Sequence, residues 1–176
     1  MKTHTYPATF ETALRFTLER EGGYVNDSAD LGGETNMGIS SVWHEGESIA
    51  AMTHDRARQI YYQNYWQPCQ CDSLPLSLAV LVFDTAVVMG QGDAVRYLQQ
   101  SLGVSADGII GPKTLAAANG MAPSSVIPDF LSRRVRHHHR MCVNRPEQER
   151  FFRGWVKRCQ LLQQFVYTER LVIATE

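Results

Sequence analysis

The 176-residue chain lacks the features that mark secreted and membrane proteins. Its first residues, Met-Lys-Thr-His-Thr-Tyr-Pro, contain no apolar run of the kind found in secretory signal peptides. Its longest apolar stretch, Leu74 to Met89, is interrupted by polar residues and is too short to span a bilayer. It has only four cysteines. Because no signal peptide is found, we expect the protein to be synthesised in a reducing compartment. These absences predict synthesis in the cytoplasm and no stable insertion into a membrane.

Low-complexity segments and clear internal repeats are also absent, and neither sign of charge dominates. The formal net charge is -1, with 44% hydrophobic and 20% charged residues, a composition typical of globular proteins. A chain of this length can bury a substantial core without disulfides or a structural metal. We therefore expect a single domain over residues 1–176.

An amphipathic helix near the N-terminus leads to a glutamate. Apolar residues recur at helical spacing from Phe10 to Leu18, and Glu21 continues the same stripe. Gly22 follows at once, and glycine accepts the left-handed backbone that often ends a helix. Partial burial and the negative end of the helix dipole both disfavour a charged carboxylate. Glu21 is therefore a candidate proton donor; the structural alternative is a cap or salt bridge at the helix end.

The segment after Glu21 predicts an irregular β-hairpin or loop, because residues 22–40 are rich in glycine and turn formers. It contains Asp30 and Thr35. If the hairpin folds back over the helix end, both residues face Glu21 across a cleft. Two carboxyl groups flanking a bond are what glycoside hydrolysis requires, and their separation decides between inversion and a covalent intermediate. The sequence leaves both outcomes open.

Seven short motifs occur in an order and spacing that resemble one family, glycoside hydrolase family 108. The motifs are Glu21-Gly-Gly-Tyr-Val-Asn-Asp, Asp30-Leu-Gly-Gly-Glu-Thr-Asn, Gly38-Ile-Ser, Ile60-Tyr-Tyr-Gln-Asn-Tyr-Trp, Phe83-Asp-Thr-Ala-Val, Asp107-Gly-Ile-Ile-Gly-Pro-Lys-Thr and Gly154-Trp-Val-Lys-Arg. This family comprises phage endolysins and bacterial N-acetylmuramidases, some of them named secretion activators. The resemblance covers most of residues 10–165.

The resemblance implies a mostly α, lysozyme-like helical domain with a small β-hairpin beside the active-site cleft. Residues 8–92 would form the catalytic part, and residues 93–167 a C-terminal helical part resembling a peptidoglycan-binding region. The implied activity is hydrolysis of the β-1,4 bond between N-acetylmuramic acid and N-acetylglucosamine in peptidoglycan glycan strands. Glu21 would be the catalytic acid, and neither a cofactor nor a metal is expected.

The other site residues rest on a weaker likeness. The Glu–Asp–Thr spacing is similar to the catalytic triad of tailed-phage lysozymes, although Thr35 comes one residue early. This likeness implies Asp30 as the second carboxylate and Thr35 as a group that positions water. Tyr24 and Asn36 are candidates for lining the sugar sites, and Tyr65 for stacking on a sugar ring.

One position departs from the family pattern. After Phe83-Asp-Thr-Ala-Val we expect an asparagine before Met-Gly, and this chain has Val88. If that asparagine contacts substrate in relatives, a sugar contact is missing here. Two alternatives therefore stay open: a non-catalytic cell-wall-binding or secretion-accessory protein, and a chitinase-like β-1,4-glycosidase.

Several polar and aromatic residues have a structural interpretation. Asp84 lies in an apolar helix and is predicted to be a hydrogen-bonded structural residue, since buried acids occur mainly when paired. Trp66 is expected in the core. The run His137–His139 lies on a helix, where successive side chains point in different directions and cannot share a metal. A solvated face is predicted there. Cys69-Gln-Cys71 is spaced too tightly for the usual zinc site.

Charge is distributed unevenly along the chain. Residues 131–160 contain nine Lys or Arg and two Glu, whereas the preceding residues contain seven Lys or Arg and 14 Asp or Glu. We expect the basic helices mainly to complement the acidic part, with attachment to the wall as a minor addition. The expected partner is peptidoglycan and not nucleic acid, and the expected state is a monomer. Made in the bacterial cytoplasm, the protein would need a holin or another export route to reach the periplasmic wall.

Overall fold

A computed structural model describes residues 5–21, 34–42, 44 and 46–169. In this part of the chain the fold is predominantly α-helical, with a two-stranded antiparallel sheet. The helices and strands are α1 (Ala8–Leu18), β1 (Thr35–Asn36), β2 (Ile39–Ser40), α2 (His54–Tyr61), α3 (Leu76–Met89), α4 (Gln91–Ser101), α5 (Pro112–Gly120), α6 (Pro123–Asn144) and α7 (Glu149–Thr168). A π-helical turn, Tyr62–Trp66, continues α2.

Helix α3 is the centre of the core. Residues 77–86 are all buried, as expected for a helix that is apolar on every side. Helices α1, α4, α6 and α7 all pack against it. Trp66 is fully buried, with its ring edge-to-face on Phe10 and Phe83. This confirms the prediction that Trp66 belongs to the core.

The helix boundaries follow local signals that the sequence displays. The Thr53 hydroxyl accepts a hydrogen bond from the Arg56 backbone N–H and caps the start of α2. Pro112 occupies the first turn of α5, where its missing N–H costs nothing. Within the described ranges, no helix is long and apolar enough to cross a membrane.

Helix α1 ends earlier than the apolar stripe predicts. Its last residue is Leu18, three residues before Glu21. The Glu21 backbone N–H still donates to the Thr17 carbonyl at 3.0 Å, so the chain continues through one more turn before Glu21. Glu21 therefore follows the helix and does not terminate it.

The small hairpin is present, and a two-residue turn joins its strands. Thr35 pairs with Ser40 and Asn36 with Ile39, joined by Met37 and Gly38. Both turn residues have positive φ angles, +49° and +73°, as in the two-residue turns that match strand twist. The predicted hairpin segment began at residue 22, and residues 22–33 lie outside the described residues.

Candidate active site

The Glu21 carboxyl group is held by an arginine from the other end of the chain. Glu21 Oε1 accepts a hydrogen bond from Arg158 Nη1 at 2.8 Å, and the two side chains are only 19% and 15% exposed. Arg158 lies on α7, so this ion pair joins the turn after α1 to the C-terminal helix. The sequence did not predict that a guanidinium group contacts the Glu21 carboxyl group.

Arg158 is in turn held by the buried carboxylate of Asp84. Its Nη2 donates to Asp84 Oδ1 at 2.7 Å, and Arg134 Nη1 donates to Asp84 Oδ2 at 2.6 Å. The Thr17 hydroxyl also donates to Asp84 Oδ1, at 3.3 Å. Asp84 is fully buried, so all of its hydrogen bonds come from protein groups. It is thus a paired structural acid, as the sequence predicted.

Asp84 and Arg158 stay charged over the physiological pH range. Burial alone would raise the pKa of Asp84, but Arg134 and Arg158 lower it to about 2. Burial alone would lower the pKa of Arg158, but Asp84 and Glu21 raise it above its ordinary value. Arg158 can therefore act as a permanent, oriented hydrogen-bond donor to Glu21.

The hairpin turn packs directly against Glu21. A Cβ atom added to Gly38 would lie 2.6 Å from Glu21 Cγ, 2.7 Å from Glu21 Oε2 and 2.5 Å from the Tyr61 hydroxyl oxygen. That hydroxyl donates to the Met37 carbonyl at 2.8 Å, which fixes the turn. Only glycine fits here, both because of this close approach and because of its positive φ.

We expect Gly38→Ala to displace Glu21 and to lower stability. The left-handed backbone costs an alanine about 1 kcal/mol, and the overlap with Glu21 and Tyr61 adds roughly 1–3 kcal/mol. Gly103 is a matched control, because its φ is +69° and an added Cβ would meet nothing within 4 Å. Urea unfolding should show the larger loss for Gly38→Ala; equal losses would mean that the turn does not press on Glu21.

A cleft of about 600 Å³ lies beside this network. It is lined by residues from the loop after the hairpin, the π-helical turn, the end of α3, and helices α6 and α7, among them His44, Tyr65, Val88, His138 and Trp155. Tyr65 connects the cleft to Glu21: burial and then the charge of Glu21 raise the pKa of its hydroxyl. Glu21 does not itself line the cleft: it packs with Tyr61 around Gly38, and the Tyr61 ring contacts that of Tyr65, with the centroids 5.9 Å apart.

The predicted solvated face at His137–His139 is wrong for two of the three residues. His138 is only 2% exposed, and its ring stacks on Trp155 with the centroids 4.7 Å apart. His137 is partly buried, with its Nδ1 2.6 Å from the Tyr97 hydroxyl. His139 is exposed. The error arose because a basic run suggests a solvent-facing helix, whereas α6 packs against α4 and α7 on both sides.

His138 makes stability sensitive to acid. Burial, followed by the charges of Arg134 and His137, lowers its pKa from 6.5 to about 3. Between these values the unfolded chain binds a proton that the folded protein does not. The free energy of unfolding should therefore fall as pH drops from about 6.5 to about 3, by up to about 1.4 kcal/mol per unit. Asp84 adds a further decrease in the free energy of unfolding below about pH 3.8, the pKa of its carboxyl group in the unfolded chain.

Urea unfolding at about pH 7 and about pH 4 measures this effect. The variant His138→Leu should lose most of the pH dependence, and His139→Leu, at an exposed position of the same helix, should keep it. Equal pH dependence in the two variants would show that His138 does not cause the acid sensitivity of stability.

The predicted site residues fall into three groups. Tyr65 lines the cleft. Thr35 and Asn36 form β1, and the Asn36 side chain donates to the Ile49 carbonyl at 3.1 Å, which ties the hairpin to the following loop. Tyr24 and Asp30 lie outside the described residues. The roles of all five in catalysis or sugar binding stay predictions.

Sequence reasoning missed Arg134, Arg158 and the contact made by Gly38. A signal for the two arginines is present: each occupies a position of an otherwise apolar helical stripe, Arg134 with Ile127 and Leu131, Arg158 with Leu162. A charge on such a stripe needs a buried partner, and Asp84 is a buried acid in the central helix.

Comparison of this chain with known protein families and with solved structures shows which proteins it resembles. A model described as glycosyl hydrolase 108 matches residues 14–90, and one described as predicted peptidoglycan domain matches residues 93–160. The structure of Brucella abortus SagA is 32% identical and superposes with a TM-score of 0.78, covering 91% of this chain and 94% of that one. This chain belongs to the glycosyl hydrolase 108 family. No match was found among the curated proteins.

Membership of the glycosyl hydrolase 108 family confirms the expected lysozyme-like, mostly α fold. It supports a glycosidase whose partner is peptidoglycan. The position expected to hold asparagine in relatives, Val88, lines the cleft. The departure from the expected family pattern therefore lies in the cleft.

Proposed function

We propose that this protein hydrolyses the β-1,4 bond between N-acetylmuramic acid and N-acetylglucosamine, with Glu21 as general acid. The observation that carries the proposal is one shielded, anchored carboxyl group, linked through Tyr61 to the cleft residue Tyr65, in a family of glycosidases. The Glu21 side chain is 19% exposed, forms an ion pair with Arg158 and packs closely against the turn at Gly38. Such anchoring fixes the geometry of a proton donor, on which general acid catalysis depends.

In the proposed reaction Glu21 protonates the glycosidic oxygen as the bond to the leaving sugar breaks. Arg158 is a positioning residue: it orients the Glu21 carboxyl group while Asp84 holds the guanidinium in place. Asp30 supplies the second carboxylate, and Thr35 positions the attacking water. If the two carboxyl groups are far apart, water attacks directly with inversion; if they are close, a covalent intermediate forms.

The cleft offers the surfaces that a glycan strand requires. Trp155 and Tyr65 line the cleft and are aromatic residues of the kind that stack on sugar rings, and Tyr24 and Asn36 supply polar contacts in the same proposal. A volume of about 600 Å³ accommodates a short stretch of the strand. Cleavage would occur in the periplasm after synthesis in the cytoplasm and export, in phage lysis or in wall remodelling.

Val88 favours a second candidate, a wall-binding or secretion-accessory protein without catalysis. An apolar side chain in the cleft weakens the case for a full set of sugar contacts. The Glu21–Arg158 pair argues the other way, because a pure binder has no need of an anchored proton donor.

Three assays separate the candidates. Clearing of purified sacculi supports a peptidoglycan hydrolase. Cleavage of chitin oligomers without clearing of sacculi would indicate a chitinase-like enzyme. Binding to sacculi without release of fragments would indicate the non-catalytic protein.

A further inference from the structure

A second hollow, the arginine groove, adjoins the end of the cleft. It has a volume of about 410 Å³ and lies between α4 and α6. His137 and Met141 line both the cleft and the groove. The Tyr97 hydroxyl and His137 Nδ1, 2.6 Å apart, mark this junction.

The groove is rich in guanidinium groups. Arg96 and Arg140 line it, and its continuation past Tyr97 and Gln100 is lined by Arg133, Arg136 and again Arg140. The acids in the lining are Asp93 and Asp129. Four arginines against two aspartates leave a positive excess where a ligand would lie.

Several of these arginines retain free hydrogen-bonding capacity. Arg133 donates hydrogen bonds to Asp129 at 2.7 Å and to Gln100 at 2.9 Å. Arg96 and Arg136, by contrast, approach their carboxylates only to 3.7 and 3.8 Å, with side chains 48% and 60% exposed. Arg140 is exposed, and its side chain forms a hydrogen bond with the Tyr97 hydroxyl that leaves most of its N–H donors available. These guanidinium groups can therefore bind further carboxylates.

We propose that the arginine groove binds the acidic peptide carried by N-acetylmuramic acid while the glycan strand occupies the cleft. This inference rests on the proposed function. Each muramic acid bears, through its lactyl group, a short peptide with several free carboxylates. Guanidinium groups pair with carboxylates in a planar, two-point geometry that a lysine cannot match. A groove that opens from the cleft is placed to receive a branch from a strand bound there.

The preferred substrate is then peptide-bearing glycan. A glycan without peptides, or chitin, presents no anions to the groove and would bind through the cleft alone. The exposed arginines outside the groove, such as Arg145 and Arg153, would not discriminate between these ligands.

Calorimetry with two soluble probes tests the proposal: the N-acetylglucosamine–N-acetylmuramic acid disaccharide with its tetrapeptide and the same disaccharide without it. The wild-type protein should bind the peptide-bearing probe about tenfold more tightly at low salt, since exposed ion pairs contribute up to about 1 kcal/mol each. The double variant Arg96→Gln/Arg140→Gln should lose this preference. The control Arg145→Gln/Arg153→Gln removes the same charge outside the groove and should retain it.

Equal binding of the two probes by the wild-type protein would overturn the proposal. So would equal effects of the two double variants, because that would indicate general charge attraction. Neither probe requires catalysis to be read, so failure here is distinct from failure to cleave sacculi, which would count against the proposed hydrolase.

Discussion

Replacing Glu21 by glutamine is expected to lower the rate of peptidoglycan cleavage by roughly 10²–10⁴-fold, the usual contribution of a general acid. Glutamine has nearly the same shape, and its amide oxygen can still accept the hydrogen bond from Arg158. The guanidinium also keeps its partner Asp84. We therefore expect the loss to be in the rate, with little change in stability.

Glu19→Gln is the matched control for this substitution. It removes the same charge two residues away, where the side chain is 56% exposed and pairs only with its neighbour Arg20. Clearing of purified sacculi should be unchanged in the control. Clearing by Glu21→Gln at the wild-type rate would deny Glu21 its role.

The second large effect is on stability. Asp84→Ala should lower the free energy of unfolding by about 3–5 kcal/mol, because it leaves the buried charge of Arg134 without its carboxylate and Arg158 with Glu21 alone. Domains of this size are stable by only about 5–15 kcal/mol. The variant should therefore unfold at a much lower urea concentration, or fail to accumulate in folded form.

A control and a rescue distinguish this mechanism from a general loss of packing. Asp55→Ala removes an aspartate that is 85% exposed, and should change stability by less than about 1 kcal/mol. Adding Arg134→Met to Asp84→Ala should recover part of the loss, since it removes the buried charge that has lost its carboxylate partner. If the double variant is less stable than Asp84→Ala, stranded charge is not the cause.

Much of this fold could be predicted because the determining signals are local. The apolar stripe of α1, the uniformly apolar α3, the Thr53 cap and the proline at the start of α5 each depend on a few adjacent residues. The glycine-rich segment also predicted a hairpin, although not that its turn lies at Met37 and Gly38. The order of the motifs indicated the family.

The parts that escaped prediction depend on contacts between distant residues. Arg158 meets Asp84 across 74 positions of sequence, and Arg134 meets it across 50. Nothing in a local pattern specifies which acid a charged residue on an apolar stripe will find. His138 was misjudged for a related reason: its burial is set by packing of α6 against Trp155 on α7, which the basic run around it conceals.

In the proposed mechanism, the buried ion-pair network links catalysis to stability. The buried triad of Asp84, Arg134 and Arg158 joins α3, α6 and α7, and its ion pair with Glu21 extends it to the turn after α1. Because Glu21 is attached to these deeply buried charges, the packing of the core holds its carboxyl group in place. Residues 93–160 thereby contribute directly to the candidate site in the N-terminal part.

The most direct test of the central claim is to identify the new chain ends in purified peptidoglycan digested by the wild-type protein, using mass spectrometry of the released fragments. A muramidase leaves N-acetylmuramic acid at the reducing end with one water added, and we predict this product. Reducing ends at N-acetylglucosamine, anhydro ends without added water, or no released fragments at all would contradict the account.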